Sequence, residues 1–267
     1  MTVARYVVFA VLGFGASVAV SQSAPTEISA ANPARPTVAT PATLTPVGYL
    51  QFENGILYAE GNSPDFSGRF GVNQVTKLTV HPRLELILAS EPLIYSGLNG
   101  LRGVDTGDVF AGFQAVVLPG HDRRPTVSLS YLRHIYTGTG PSLDSGTPEN
   151  SLLVLISDDL GGFHFDLNGM FNEQKDTSVR RGQFGQTISI SHAIKKGFGI
   201  GGELWHFTQP FQRGNAIGNL WNVSYQPQPN LVFDIGFNHG LTSTSTQWEV
   251  FAGFTYLLPH RLWKQKK

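Results

Sequence analysis

The fold is decided by Phe163–Asn172, FHFDLNGMFN, where Phe163, Phe165, Leu167 and Phe171 fall on one face and His164, Asp166, Asn168 and Met170 on the other. Successive side chains of an extended chain point to opposite faces, so this alternation is that of a strand with one apolar and one polar side, and it does not fit a helix. Leu231–Asn238 repeats it, with Leu231, Phe233, Ile235 and Phe237 opposite Val232, Asp234, Gly236 and Asn238. The last such segment sets Trp248, Val250, Ala252, Phe254 and Tyr256 against Gln247, Glu249, Gly253 and Thr255. Between Val47 and Leu258 no helical periodicity is sustained, and the pattern predicts twelve strands, near 48–60, 70–80, 84–90, 108–118, 126–136, 150–158, 163–172, 183–192, 198–208, 216–226, 231–240 and 246–257.

The connections alternate in character. Short ones carry turn chemistry, as in His81-Pro82-Arg83, Gly161-Gly162 and Lys195-Lys196-Gly197, whereas 91–107 and 137–149 are longer and rich in glycine and polar residues. An even-numbered antiparallel meander with short turns at one end and longer loops at the other is the plan of an up-and-down transmembrane β-barrel. In lipid a spanning sheet must close on itself, because an unpaired edge has no water to bond. A soluble β-sandwich or lipocalin-like barrel also alternates, but it needs a charged outer face. Here only 14% of the 267 residues are charged while 41% are hydrophobic. The 19 basic and 19 acidic residues cancel, which argues against a nucleic-acid partner, and the absence of cysteine excludes disulfides, thiolate zinc sites and a thiol nucleophile.

Residues 1–21 read as a signal peptide: Arg5, an uncharged run from Tyr6 to Val20, and small residues at Ala19 and Ser21. The run is shorter than the roughly 20 apolar residues of a membrane anchor. The Ala/Pro/Thr-rich stretch 22–46 has no periodic apolar face and is expected to be a disordered, mobile linker. The barrel is expected over 47–258, followed by a solvated basic tail, 259–267, with Lys264, Lys266 and Lys267.

Strand parity turns Glu53, Lys77, Glu85, Asp108, Asp166, Glu203, Asp234, Asn238 and Glu249 toward the lumen. A carboxylate facing lipid is costly, so the inward assignment has a physical basis as well as a pattern. These groups either line a path that favours cations or neutral polar solutes, or pair with Lys77 and with Arg83, Arg102, Arg133, Arg180 and Arg181 to fill a narrow interior. Arg133 shares the parity of the outward residues Val127, Leu129 and Tyr131, so it implies a bulge or a side chain snorkelling at the membrane rim. Tyr and Trp near strand ends suit interfacial girdles, while Trp205 and Phe207 share the parity of Glu203 and point inward.

Ser128, Ser130 and His134 lie on the inward parity of one strand, the arrangement a barrel-embedded lipid hydrolase would need, but no Gly-x-Ser-x-Gly elbow exists and Ser191 and His192 face opposite sides. The eight histidines form no metal-ligand spacing, and the glycine run Gly197–Gly202 misses the dinucleotide pattern, so no metal, cofactor or enzyme activity is expected.

Several short stretches resemble the outer-membrane transporter family labelled as the MetA pathway of phenol degradation. Leu78–Leu88 (LTVHPRLELIL) is similar to that family's Gly-Leu-Thr-Asp-Arg-Leu-Glu-Leu hairpin, Gly107-Asp108-Val109 to its Gly-Asp strand, Tyr136-Thr137-Gly138 to its Pro-Thr-Gly strand end, Glu203-Leu204-Trp205 to its Glu-Leu-Tyr, and Gly240-Leu241-Thr242 to its penultimate strand exit. His81-Pro82 replaces the usual Thr-Asp, Gln114 stands where a Lys is common, and Tyr136 replaces Pro. The resemblance implies a transporter or channel for small solutes, aromatic or hydrophobic ones included.

The combined expectation is a monomeric outer-membrane barrel with both termini in the periplasm, lipid around it and a small-molecule solute as ligand. A structural or surface-interaction barrel without transport is the first alternative and the hydrolase the second. Twelve strands stand between the side-chain-filled barrels of eight and the aqueous channels of about sixteen, which predicts a narrow, partly plugged lumen. The purified protein is expected to refold only with lipid or detergent and to migrate differently on gels before and after heating; a stable, detergent-free soluble monomer would contradict the barrel.

Overall fold

The computed structural model describes residues 29–63, 66–98, 101–121, 124–140 and 147–263, so the expected signal peptide and Lys264–Lys267 lie outside the described residues. The strands, all antiparallel, are β1 (Leu50–Ser63), β2 (Phe66–His81), β3 (Leu84–Leu98), β4 (Leu101–Asp105), β5 (Val109–Leu118), β6 (Thr126–Tyr136), β7 (Thr147–Leu160), β8 (Phe163–Asp176), β9 (Val179–Ala193), β10 (Phe198–Thr208), β11 (Asn215–Gln228), β12 (Leu231–Gly240) and β13 (Trp248–Leu257). Each pairs with its sequence neighbour except that β3 pairs with both β4 and β5, and β1 pairs with β13, which closes the sheet. The barrel therefore has the expected twelve strands, and β4 is a thirteenth, hanging from the far end of β3.

The stretch 91–107, expected as a loop, holds the continuation of β3 and the whole of β4. Glu91 and Pro92 hid this. Proline cannot donate to a ladder, and the register against β2 shifts between Val72 and Gln74, the mark of a bulge that absorbs the two residues before alternation resumes at Leu93. At the opposite end, β7 and β8 are joined by Gly161-Gly162 alone, with φ of 62° and 85°. Both central positions of such a two-residue turn need positive φ, which glycine adopts without strain.

The wall separates two environments. Outside, Ile56, Leu86, Leu152, Leu167, Ile188, Ile200, Leu204, Trp221 and Ile235 are all exposed, and Ile56, Ile188, Ile200, Leu204, Trp221 and Ile235 border an apolar concavity of about 1140 Å³. Inside, the buried residues are largely polar, among them Gln51, Glu53, Lys77, Gln114, Asp166 and Glu203. Charge is thus inverted relative to a soluble domain, which is the arrangement lipid requires.

The apolar belt ends abruptly on the long-loop side. Register aligns Phe113, Tyr131, Leu152, Phe171 and Phe184 in one outward row, with the Phe171 and Phe184 rings 5.3 Å apart. Two residues further along, the same strands present Arg133, Asn150 and Glu173, with the Asn150 amide donating to Glu173 at 2.5 Å and Arg180 to its other oxygen at 2.9 Å. Arg133 keeps its outward parity and is exposed in this polar row, as a snorkelling rim residue would be. Toward the short turns, Phe198 stacks on Tyr225 at 4.6 Å and Phe163 lies 4.7 Å from His192, forming the second ring of the girdle.

The boundary can be tested by substitution. Ile188→Arg, in mid-belt, is expected to destabilise the lipid-folded barrel by about 2–4 kcal/mol, and Asn150→Lys, in the polar row beside Glu173, by about 0–1 kcal/mol, measured by denaturant titration in vesicles.

Candidate functional site

Residues 29–46 do not behave as the mobile linker expected of 22–46; they run through the lumen and touch its wall strand by strand. Four of the residues, Pro33, Pro36, Pro41 and Pro46, lack an N–H, and the chain bends at Pro36, Val38, Ala39, Ala42 and Thr43, so no ladder forms. The remaining backbone groups must be paired by something else once they are out of water. At the short-turn end, the Ala31 N–H donates to the Pro229 carbonyl at 2.8 Å. Gln51 of β1 then clamps Asn32, accepting its N–H at 2.9 Å and donating to its carbonyl at 2.8 Å, and Glu53 accepts the Ala34 N–H at 3.2 Å. Arg35 reaches Asp234 of β12 at 3.3 Å and the Ala252 carbonyl of β13 at 3.5 Å. Its guanidinium lies where a Cβ on Gly55 or Gly253 would stand, so the slot exists only because both wall residues lack side chains.

The circuit continues around the wall. Glu203 of β10 accepts the Val38 and Ala39 N–H groups at 2.9 and 2.8 Å, one on each carboxylate oxygen. Asn168 of β8 clamps Thr40, accepting from N–H at 2.6 Å and donating to the carbonyl at 2.9 Å. Ser157 of β7 accepts the Ala42 N–H at 2.7 Å, while Ser128 of β6 and Gln114 of β5 donate to the Ala42 carbonyl at 2.5 and 3.1 Å. Glu85 of β3 takes both the N–H and the hydroxyl of Thr45, at 2.9 and 2.6 Å, and the Gly48 N–H reaches the Thr79 carbonyl of β2 at 2.8 Å. Small side chains allow this approach: Ala39 and Ala42 are both 0% exposed, and Ala42 packs with Leu153, Leu155 and Met170.

The nine sequence-predicted lumen residues fall into two tiers. Glu53, Lys77, Glu85, Asp166, Glu203 and Asp234 lie in the short-turn half. Glu53 and Lys77 form an ion pair of 2.5 Å, and Asp166 accepts from Ser157 at 2.5 Å and faces His164 at 3.2 Å, so Ser157 links it to the segment. Asp108, Asn238 and Glu249 belong to the long-loop half. Asp108 accepts the Gly138 N–H at 2.9 Å with His134 at 3.3 Å; Asn238 accepts from the Trp205 indole at 2.8 Å and donates to Glu249 at 2.9 Å.

Of the basic partners expected, Lys77 pairs with Glu53, the side chain of Arg102 lies outside the described residues, and Arg83, Arg133, Arg180 and Arg181 do not meet the lumen carboxylates. Among the described residues the lumen cations are Arg35, Lys77 and Arg69, the last bound to Glu91 at 2.6 Å. Arg180 pairs with Glu173 on the outer face, Arg181 sits 5.1 Å over Phe211 and donates to the Pro210 carbonyl, and Arg83 is exposed in a turn. The start of the expected solvated tail also folds back: the Leu262 N–H reaches the Gly48 carbonyl at 2.8 Å, and Arg261 lies 5.5 Å over the Tyr49 ring.

The structure does not join Ser130 to His134. Four residues along a strand span about 13 Å, so shared parity alone cannot bring them together. Ser130 donates to the Phe113 carbonyl at 3.1 Å, Ser128 serves the segment, and His134 faces Asp108 and, at 3.8 Å, Glu149. Ser191 shares the parity of buried Thr187 and Ser189 but is itself exposed near the strand end, while His192 has the opposite parity and bonds the Gly162 carbonyl at 2.8 Å. Among the described residues no group of three or more His, Asp or Glu side chains is placed to hold a metal ion.

Sequence reading missed the segment and its amide partners Gln51, Gln114 and Asn168. One signal was available: an inward set composed almost wholly of acceptors needs donors, and a stretch of small residues immediately before the first strand can bring backbone N–H groups.

No protein-family model matches the chain and no curated protein matches its sequence, so the likeness of its short motifs to the MetA-pathway family has no support there. Solved structures do share the architecture. A KdgM porin superposes with a TM-score of 0.51 at 12% identity, covering 77% of this chain and 98% of that one. A NanC porin does so with 0.54 at 11%, covering 78% and 98%, and a KdgM porin in complex with disordered oligogalacturonate with 0.51 at 10%, again covering 78% and 98%. At such identities the likeness is one of fold: the chain is a closed antiparallel barrel similar to these porins.

Proposed function

We propose that the protein is a bacterial outer-membrane channel for small solutes that rests closed on its own N-terminal segment. The observation that carries this reading is the filling of the lumen. A barrel with an apolar outer wall encloses a polar interior, and what occupies that interior is a segment without secondary structure, held by separable hydrogen bonds. The porin likeness supports the same function, and Ala31 and Leu262, which lie on the side of the short turns, fit a periplasmic face. Export by the 1–21 signal, a lipid surround and a monomeric state belong to this proposal.

The inward charge bears on the solute. Glu53, Glu85, Asp166, Glu203, Asp234 and Glu249 outnumber Arg35, Arg69 and Lys77, so neutral or cationic solutes fit better than anions. Aromatic or hydrophobic solutes find one matching feature, Trp205 and Phe207 with ring centroids 6.1 Å apart on the inner wall.

A second reading, a structural barrel that never opens, is favoured by one observation: the lumen carboxylates are already engaged by the wall or the segment. Planar-bilayer recordings separate the two. The intact protein is expected to conduct weakly or not at all, and a chain lacking residues 29–46 to conduct steadily, with an uptake defect in a deletion strain. A folded, vesicle-inserted deletion variant that stays silent would establish the structural barrel instead.

A further inference from the structure

We propose that the solute class this lumen recognises is a peptide, and that residues 31–45 occupy its place. The proposal deepens the channel reading and rests on it. Its basis is how the wall holds the segment, which is by the main chain. Gln51 and Asn168 each pair with both the N–H and the carbonyl of a single residue, Asn32 and Thr40, the two-point pattern by which one peptide unit recognises another. Glu53, Glu203 and Glu85 accept backbone N–H groups at Ala34, Val38, Ala39 and Thr45, and Gln114 and Ser128 donate to the carbonyls of Pro41 and Ala42. Donors and acceptors thus follow one another along the path as they do along a peptide backbone.

Side-chain recognition is sparse by comparison. The described side-chain hydrogen bonds from this segment to the wall are those of Arg35 to Asp234 and Ala252 and of Thr45 to Glu85, with the Thr45 and Thr79 hydroxyls 2.7 Å apart. A site that reads the backbone and tolerates small side chains accepts many sequences, as strand addition does. A saccharide would offer hydroxyls that both donate and accept, and would have no need of a carboxylate placed for two successive N–H donors. The acid-biased lumen also suits a peptide's cationic amino end.

The test uses the full chain with Ala39→Tyr and Ala42→Tyr. Both alanines are 0% exposed, so the larger rings cannot seat and the segment leaves while the wall keeps every residue. Two probes are compared in planar bilayers with a neutral disaccharide: a synthetic peptide of residues 31–45 and an alanine pentapeptide. The expected result is that the variant conducts, that both peptides block at concentrations about tenfold or more below the disaccharide, and that adding Gln51→Ala and Asn168→Ala raises the blocking concentration about tenfold. Conduction with no preference for peptides would overturn the peptide assignment and leave the channel standing. Fluorescence anisotropy of the labelled 31–45 peptide on the detergent-solubilised variant needs no conducting path, so absence of binding there overturns the proposal even if the variant is silent.

Discussion

Strand alternation turns polar side chains, carboxylates above all, into a buried interior where they need partners, and the rest of the structure depends on how that is met. Leaving a buried acceptor without a donor costs about 1–3 kcal/mol, more when it is charged. The wall meets part of the demand itself, through Glu53 with Lys77 and Asn238 with Trp205. For Glu203 the described donors come from the segment, as backbone N–H groups, and Glu85 takes the Thr45 N–H and hydroxyl of the segment beside the Thr79 hydroxyl of the wall. The segment has the converse demand, since its prolines keep it out of any ladder. Neither surface is satisfied alone, and each supplies the groups the other lacks.

This reciprocity shapes how the interior can open. The bonds are spread over β1, β12, β10, β8, β7, β6, β5, β3 and β2, and the segment's one covalent tie to the wall is the chain's own passage through 47–49 into β1. Water or a solute entering from either end can replace them one at a time, at a net cost of about 0.5–1.5 kcal/mol for each ordinary hydrogen bond. The twelve-stranded wall, by contrast, is joined throughout by continuous ladders and has no free edge from which to unravel. A rigid wall around an exchangeable filling is the division of labour a gated passage needs.

Much of the wall was legible in the sequence because period-two alternation is a local property. Phe163–Asn172 lies within β8, β6 ends where alternation put it, and the inward parity of Glu53, Asp166, Glu203 and Asp234 follows from counting along single strands. Less was legible where contacts cross the barrel. Pro92 masked the continuation of β3, because a bulge restores alternation only after the proline. Residues 29–46 have no periodicity to read, and their partners lie on strands up to about two hundred positions away, as Arg35 does from Asp234. The pairing of Arg69 with Glu91, in place of the loop arginines expected, likewise depends on neighbouring strands whose register no single segment reveals.

The central claim, that the N-terminal segment fills the lumen, is tested most directly by a single introduced cysteine. The natural chain has none, so Ala39→Cys gives one thiol, on a residue that is fully buried between segment and wall. With the folded protein in lipid vesicles, a membrane-impermeant maleimide is predicted to leave this thiol unlabelled until the protein is denatured, while a cysteine at exposed Lys195 reacts at once. Labelling of the folded Ala39→Cys protein as fast as that of the exposed control would contradict the account.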